Sequence, residues 1–309
     1  MVIAINLSNI SLLVFDLDGT LLNRAGKISS ESVKQIINCH NKNFQLAIAT
    51  GRNYFAARKM INSSFPDNFF KNFTFITCNG ASIYRNDRLI ASARLKPSLG
   101  SKLLAAADDS ALLPLFYTPE EIIFSRKHKP LLLLILLWGQ LLSPGGSLFK
   151  MAKELPRSLA AYYRELKYLN DLTVAKPANY VDKQKINPDR IYIMAKQKAL
   201  THNLNSWHQK FSGINFINTH KNVLEVQHQD ANKGRALELL LDNIGIKPDE
   251  VLVFGDGHND ISMFARAGQS VIMENSSSDR LQSLADYTAR SNDKNGVAHF
   301  LHNSLNNMD

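Results

Sequence analysis

Two carboxylates, Asp16 and Asp18, stand one residue apart at the end of an apolar run in LLVFDLDGTLLN, Leu12 to Asn23. Burying a carboxylate is costly unless opposite charge or hydrogen bonds compensate it. A bound cation, a phosphate chemistry or a plain strand end in water would each account for the pair. The same polar punctuation recurs along the chain. Thr50, Gly51 and Arg52 follow FQLAIA, Asn79 follows FTFIT, and Asp256, Asn259 and Asp260 follow EVLVF. Lys233 opens KGRALELLLDNI, a segment with helical spacing. Carboxylate-bearing turns that met in one place would repel each other without a cation. Oxygen donors with no Cys or His cluster suit Mg²⁺. A hydroxyl and a lysine beside such an ion suit a phosphoryl group.

These residues need elements that bring them together. ISLLVF, Ile10 to Phe15, reads as a buried strand, followed by an N-cap at Ser29 or Ser30 and a helix over Glu31 to Asn41. Phe44 to Ala49 and Phe73 to Thr77 are further buried strands, with a helix over Asn53 to Asn62 between them. The grammar returns late in the chain. A helix is expected over Lys233 to Ile244 with Gly245 as its C-terminal cap, then a strand over Glu250 to Phe254, a helix over Asp260 to Ala267 and a strand over Ser270 to Met273. Strands alternating with helices predict an α/β fold, a Rossmann-like parallel sheet with helices on both faces. Ligands of such sheets bind beyond the carboxyl ends of the strands, where the polar residues above are placed.

The middle of the chain has a different texture. Residues 86–229 read as an inserted α+β domain, and 1–85 with 230–309 as a discontinuous core. The insert holds a helix-like segment at Ala160 to Leu169, strands at Ile191 to Ala195, Ile214 to Asn218 and Val223 to Gln227, and a helix near Leu200 to Phe211. It also carries the run PLLLLILLWGQLL, Pro130 to Leu142, and a break at SPGG, Ser143 to Gly146. That run is shorter than the roughly 20 apolar residues of a membrane-spanning helix, so a buried element is expected. No internal repeat is evident.

Composition narrows the class further. With 309 residues, 45% hydrophobic and 20% charged, the chain can bury a sizeable core. Its formal charge of +9 favours anionic ligands. Lys and Arg are spread along the chain rather than clustered, so no nucleic-acid partner is expected. Cys39 and Cys78 lie in no CxxC pattern and read as small buried hydrophobes of a reducing cytoplasm. The N-terminus MVIAINLSNI has no basic start and no long apolar run, unlike a signal peptide.

Four stretches together resemble the motifs of the haloacid dehalogenase superfamily of phosphatases: DLDGT at Asp16 to Thr20, ATGR at Ala49 to Arg52, Lys233-Gly234 opening a helix, and GDGHND at Gly255 to Asp260. CNGA at Cys78 to Ala81 and NGVAHFL at Asn295 to Leu301 resemble the Cof-type branch, whose large α/β cap is inserted after the third core strand. The resemblance implies an aspartyl-phosphate intermediate on Asp16, with Asp18 as general acid and then base. It implies Mg²⁺ held by Asp16, the backbone carbonyl of Asp18 and Asp256. Thr50 and Lys233 would hold the transferring phosphoryl group. Asp260 would support the metal site, Asn259 would orient its neighbours, and Gly51, Asn79 and Arg52 would line the site or touch substrate. His258 is not expected to be a ligand.

The expected function is therefore a Mg²⁺-dependent phosphomonoesterase acting on a small phosphorylated metabolite, a sugar phosphate or similar compound, beneath a lid that excludes water. A phosphotransferase or mutase using the same intermediate, and a binding protein that keeps the fold, are the alternatives. The chain departs from the branch in two ways. MENSS, Met273 to Ser277, stands where a turn resembling MGNA is usual, with Glu274 in place of the glycine, and the insert is longer than the branch leads one to expect. Oligomeric state is not legible.

Overall fold

A computed structural model describes residues 5, 7–106, 112–125, 173–176, 180–195, 197–220 and 222–307. The chain divides into two compact units, Met1–Ala93 with Asp230–Asp309, and Arg94–Gln229. The leucine-rich run, the SPGG break and the expected helix at Ala160 to Leu169 lie outside the described residues.

The first unit is built on an eight-stranded sheet. Its strands are β1 (Leu12–Phe15), β2 (Gln45–Ala49), β3 (Phe73–Thr77), β4 (Ser82–Arg85), β5 (Arg88–Ser92), β12 (Val251–Gly255), β13 (Gln269–Met273) and β14 (Tyr287–Ala289). The spatial order is β14-β13-β12-β1-β2-β3-β4-β5. Six of the strands run parallel, and β4 and β5 add an antiparallel hairpin at one edge. That hairpin moves the first junction from the expected 85/86 to 93/94, because β5 pairs within the core sheet. The tight turn at Asn86 and Asp87, both at positive φ, is what sequence reading passed over.

Alternation along each strand assigns the two faces. Leu13, Phe15, Leu46, Ile48, Phe73 and Phe75 pack with the helices Ser30–Asn41, Tyr54–Ser64 and Gly296–Leu305. Leu12, Val14, Ala47, Ala49, Val251 and Val253 pack with Lys233–Ile244 and the short helix Ile261–Phe264. Local signals set the helix ends. Ser29 and Asn53 accept from Ser32 and Ala56 N–H at the N-caps, and Gly245 closes Lys233–Ile244 at φ 71°. The helix expected over Asp260 to Ala267 is shorter than its pattern. It is a 3-10 turn, His258–Asp260, followed by Ile261–Phe264; at its start the Asp260 side chain bonds the Asp256 and Gly257 N–H groups, and beyond its end the Gly268 N–H donates to Pro248 O instead of continuing the helix. Both cysteines are buried, and burial pushes the Cys39 thiol up to about 12.

The second unit holds a six-stranded sheet made of β6 (Leu113–Tyr117), β7 (Ile122–Ser125), β8 (Thr173–Lys176), β9 (Arg190–Met194), β10 (Ile214–His220) and β11 (Val223–His228), in the order β10-β11-β9-β6-β7-β8. Its pairs are antiparallel except β7 with β8. One face buries Phe116, Ile191, Ile193, Leu224 and Val226 against Leu103 and Trp207 of the helices Leu99–Ala105 and Gln197–Lys210. Strand residues of the alternate register include a buried ion pair, Arg190 with Glu225 at 3.1 Å, the guanidinium lying over the Tyr117 and Tyr192 rings. This explains why these strands read as less continuously apolar. No helix among the described residues is long and apolar enough to cross a membrane.

Phe254 joins the core to the strand ends that matter below. It is fully buried, stacks on Phe15 at 5.1 Å between centroids, and meets Phe300 edge-on at 5.5 Å. Phe254→Ala should cost about 3–5 kcal/mol of stability in urea unfolding, and Phe254→Leu clearly less, because the cavity it leaves is smaller.

Candidate active site

In the first unit the chain reverses its winding between β1 and β12: β2 and β3 follow β1 on one side, and β13 and β14 follow β12 on the other. Such a switch leaves a crevice at the carboxyl ends of the two central strands. Asp16 follows β1, and its N–H extends the ladder by donating to Phe254 O at 3.0 Å. Asp256 follows β12 across that crevice. The two side chains therefore meet although 240 residues separate them in sequence.

Lys233 lies at their centre. It is fully buried, and its ammonium donates to Asp16 Oδ1 at 2.5 Å and to Asp260 Oδ1 at 2.6 Å. Burial alone would lower its pKa. The two carboxylates outweigh that effect and raise it, so the lysine stays charged. Asp260 spends its second oxygen on the Asp256 and Gly257 N–H groups, at 3.0 and 2.9 Å. Asp16 is nearly as buried, and burial raises its pKa well above the usual carboxylate range. The Lys233 charge opposes this rise, and Asp260, Asp256 and Asp18 add to it.

Asp256 is held from two sides. Thr20 Oγ1 donates to its Oδ1 at 3.2 Å, and Asn275 Nδ2 approaches its Oδ2 at 3.4 Å. Burial first, then repulsion from Asp260, pushes its pKa up to about 6. Gly19, at φ 85°, passes so close that a Cβ there would strike the Asp256 carboxylate.

Asp16, Asp256 and Asp260 offer carboxylate oxygens that all lie within 4.8 Å of one another. Three converging acids, two of them with raised pKa, answered by one lysine, form a donor set that fits a hard divalent cation. The Asp18 carboxylate is not in this group. It points to solvent, 57% exposed, in a two-pronged pair with Arg52: Nε to Oδ2 at 2.8 Å and a terminal nitrogen to Oδ1 at 2.5 Å. Its expected link to an ion runs through the backbone carbonyl, which that pair does not involve.

The second and third strand ends interlock. Thr50 is buried, its N–H donates to Ile76 O, and its hydroxyl accepts from the Arg52 N–H at 3.1 Å. Asn79, at φ 56°, donates its N–H to Thr50 O, and its side-chain oxygen accepts from Asn259 Nδ2 at 3.0 Å. Gly51 packs beside the Asn79 amide. The expected residues thus come together in one unit, save that Asp18 is drawn outward by Arg52. His258 is exposed and outside the acid cluster.

Sequence reading missed the support given by the MENSS turn. Asn275 Nδ2 donates to Gly19 O at 2.8 Å, its Oδ1 accepts from the Asn292 N–H, and Ser276 Oγ donates to Asp256 O at 2.7 Å. Glu274 turns away, accepting from the Ser291 N–H and pairing with Lys294 at 3.4 Å. Two small polar residues beside the substituted glycine were the only signal in sequence.

The chain matches the haloacid dehalogenase-like hydrolase family over residues 13–301. It is 27% identical over 306 residues to the 5-amino-6-(5-phospho-D-ribitylamino)uracil phosphatase YwtE of Bacillus subtilis, covering 94% of this chain and 96% of that one. Its fold is similar to the crystal structure of a haloacid dehalogenase-like hydrolase from Bacteroides thetaiotaomicron, with a TM-score of 0.72, 23% identity, and coverage of 95% and 98% of the two chains. It is also similar in fold to the subclass IIB sugar phosphatase BT4131, with a TM-score of 0.65, 19% identity, and coverage of 93% and 96%.

Lys233→Met would leave Asp16 and Asp260 buried without their counter-charge, at a cost of about 3–5 kcal/mol near neutral pH. The deficit should shrink as pH falls and the carboxyls take up protons, which thermal melts from pH 4 to 8 would read. For Asp256 the folded pKa lies above the ordinary 3.8. The folded state therefore holds that proton more tightly than the unfolded chain, and in EDTA this group's effect is a loss of stability as pH rises from about 4 to about 6. Added Mg²⁺ should offset that loss.

Proposed function

The chain belongs to the haloacid dehalogenase-like hydrolases, and on that premise we propose that it is a Mg²⁺-dependent phosphomonoesterase. Its substrate would be a small organic monophosphate of the sugar-phosphate class, cleaved through a phosphoryl group carried on Asp16. The observation that carries this reading is the buried contact of Lys233 with Asp16, inside a cluster completed by Asp256 and Asp260. A surface carboxylate would need no such partner. A nucleophile facing a phosphate dianion must stay ionised in a dry place, and the fixed ammonium favours that state.

Mg²⁺, held by Asp16 and Asp256 with Asp260 behind them, would screen the repulsion between the attacking carboxylate and the phosphoryl oxygens. In the first step an Asp16 oxygen bonds to phosphorus while the ester oxygen departs with its electron pair and takes a proton from Asp18. In the second, Asp18 takes a proton from water, the water oxygen bonds to phosphorus, and inorganic phosphate leaves Asp16 regenerated. Thr50 and Lys233 would hold the phosphoryl oxygens in both steps. Arg52 keeps Asp18 at the rim, so passing a proton to the leaving group requires that pair to loosen. Asn259 and Asn79 tie two strand ends together, a contact that would keep the Thr50 loop in register. Choice of leaving group we assign to the unit Arg94–Gln229. The names of YwtE and BT4131 support a phosphorylated metabolite as the substrate class.

With p-nitrophenyl phosphate and Mg²⁺, the protein should release inorganic phosphate. EDTA should abolish turnover, and Asp16→Asn should lower kcat by at least about a thousandfold. Activity that survives Asp16→Asn would remove Asp16 as the nucleophile. Asp18→Asn should cost more with an alkyl phosphate than with the aryl ester, whose phenolate leaves without a proton.

A further inference from the structure

The sheet of the first unit has a second polar concavity at the opposite ends of its strands. A cavity of about 300 Å³ opens where β2 and β3 begin and β4 ends. Its lining residues include His40, Lys71, Arg85, Asn43, Asn72 and Asn86. All six side chains are of types that can donate hydrogen bonds. Among the described residues no carboxylate lines it. The strand β3, five residues at about 3.3 Å each, sets this end roughly 15 Å from the end that carries Asn79. It is a place distinct from the Asp16 centre.

A second observation points the same way. Arg85 and Arg88 face each other across the β4–β5 hairpin. Like charges directly opposed destabilise an antiparallel pair. The acid in the turn, Asp87, is already engaged, accepting from the Tyr54 hydroxyl and pairing with Arg58 at 3.3 Å. Cationic groups from separate elements therefore border one small volume whose lining holds no acid.

We propose that this cavity binds a small phosphate-type anion. Arg and Lys are matched to phosphoryl oxygens in charge and geometry. His40, Lys71 and Arg85 border the cavity from three separate segments, and a tetrahedral anion offers acceptors in several directions at once, which a planar monocarboxylate does not. The volume sits at the lower end of small-molecule sites, with room for a phosphoryl or diphosphoryl group.

Amide NMR of the full chain in EDTA, titrated in turn with inorganic phosphate, pyrophosphate and glycerol phosphate, tests this. The expected result is saturable shifts at Asn72, Thr74 and Asn86 with at least one of the three. The double substitution Lys71→Gln and Arg85→Gln should weaken that binding at least tenfold while the Tm does not fall, since the change also relieves the repulsion between Arg85 and Arg88. Lys71→Gln alone, at an exposed position, should weaken it at least threefold and serves if the double variant fails to fold. Response to phosphate or pyrophosphate would identify a free inorganic anion, and response to glycerol phosphate alone an ester. Shifts that rise linearly without saturating, that stay with the loops of Asp16 and Thr50, or that persist at full affinity in Lys71→Gln would overturn the proposal.

Discussion

A single buried ammonium conditions the rest of the first unit. Lys233 has no access to water, and its charge is tolerable only because Asp16 and Asp260 lie within 2.6 Å of it. The converse holds as well. Two buried acids, with Asp256 beside them, would take up protons without that charge. The core thus contains an arrangement that costs stability and is kept in place by its own mutual compensation. Hydrophobic packing around it, Phe15 on Phe254 and the aliphatic residues of both sheet faces, must supply the surplus.

The same arrangement dictates backbone detail nearby. Gly19 has room for no side chain because Asp256 occupies the space a Cβ would need. Asp260 turns back onto the Asp256 and Gly257 N–H groups, which fixes the turn that enters the helix Ile261–Phe264. Thr20, Asn275 and Ser276 then fix Asp256 through its side-chain oxygens and its carbonyl. Each acid therefore has an assigned orientation before any ligand arrives, which is the condition for electrostatic stabilisation without reorganisation.

Asp18 is the exception among the acids. It sits two residues from Asp16 yet is exposed and paired with Arg52 rather than with the cluster. The strand alternation that buries one residue and exposes another is lost once the chain leaves β1, and the Leu17–Leu22 turn decides where each side chain goes. The charge of Asp18 is still felt inside the cluster, where it adds to the repulsion that raises the pKa of Asp16 and Asp256.

Much of this was written in local pattern. Short apolar strands ending in polar residues, a cap at Ser29 or Ser30, a helix starting at Asn53, Gly245 as a stop and the acids at the ends of β1 and β12 are all nearest-neighbour signals, read correctly to within a residue or two. What the sequence did not carry was partnership across distance. That β5 belongs to the core sheet rests on pairing with β4. That Arg52 claims Asp18, and that Asn275 and Ser276 brace Asp256, depends on loops of neighbouring strands meeting, β1 with β2 and β12 with β13. Residue types and spacing determine which groups reach the strand ends, because secondary structure is local. Which of those groups touch is decided only when the sheet order brings β1 and β12 side by side.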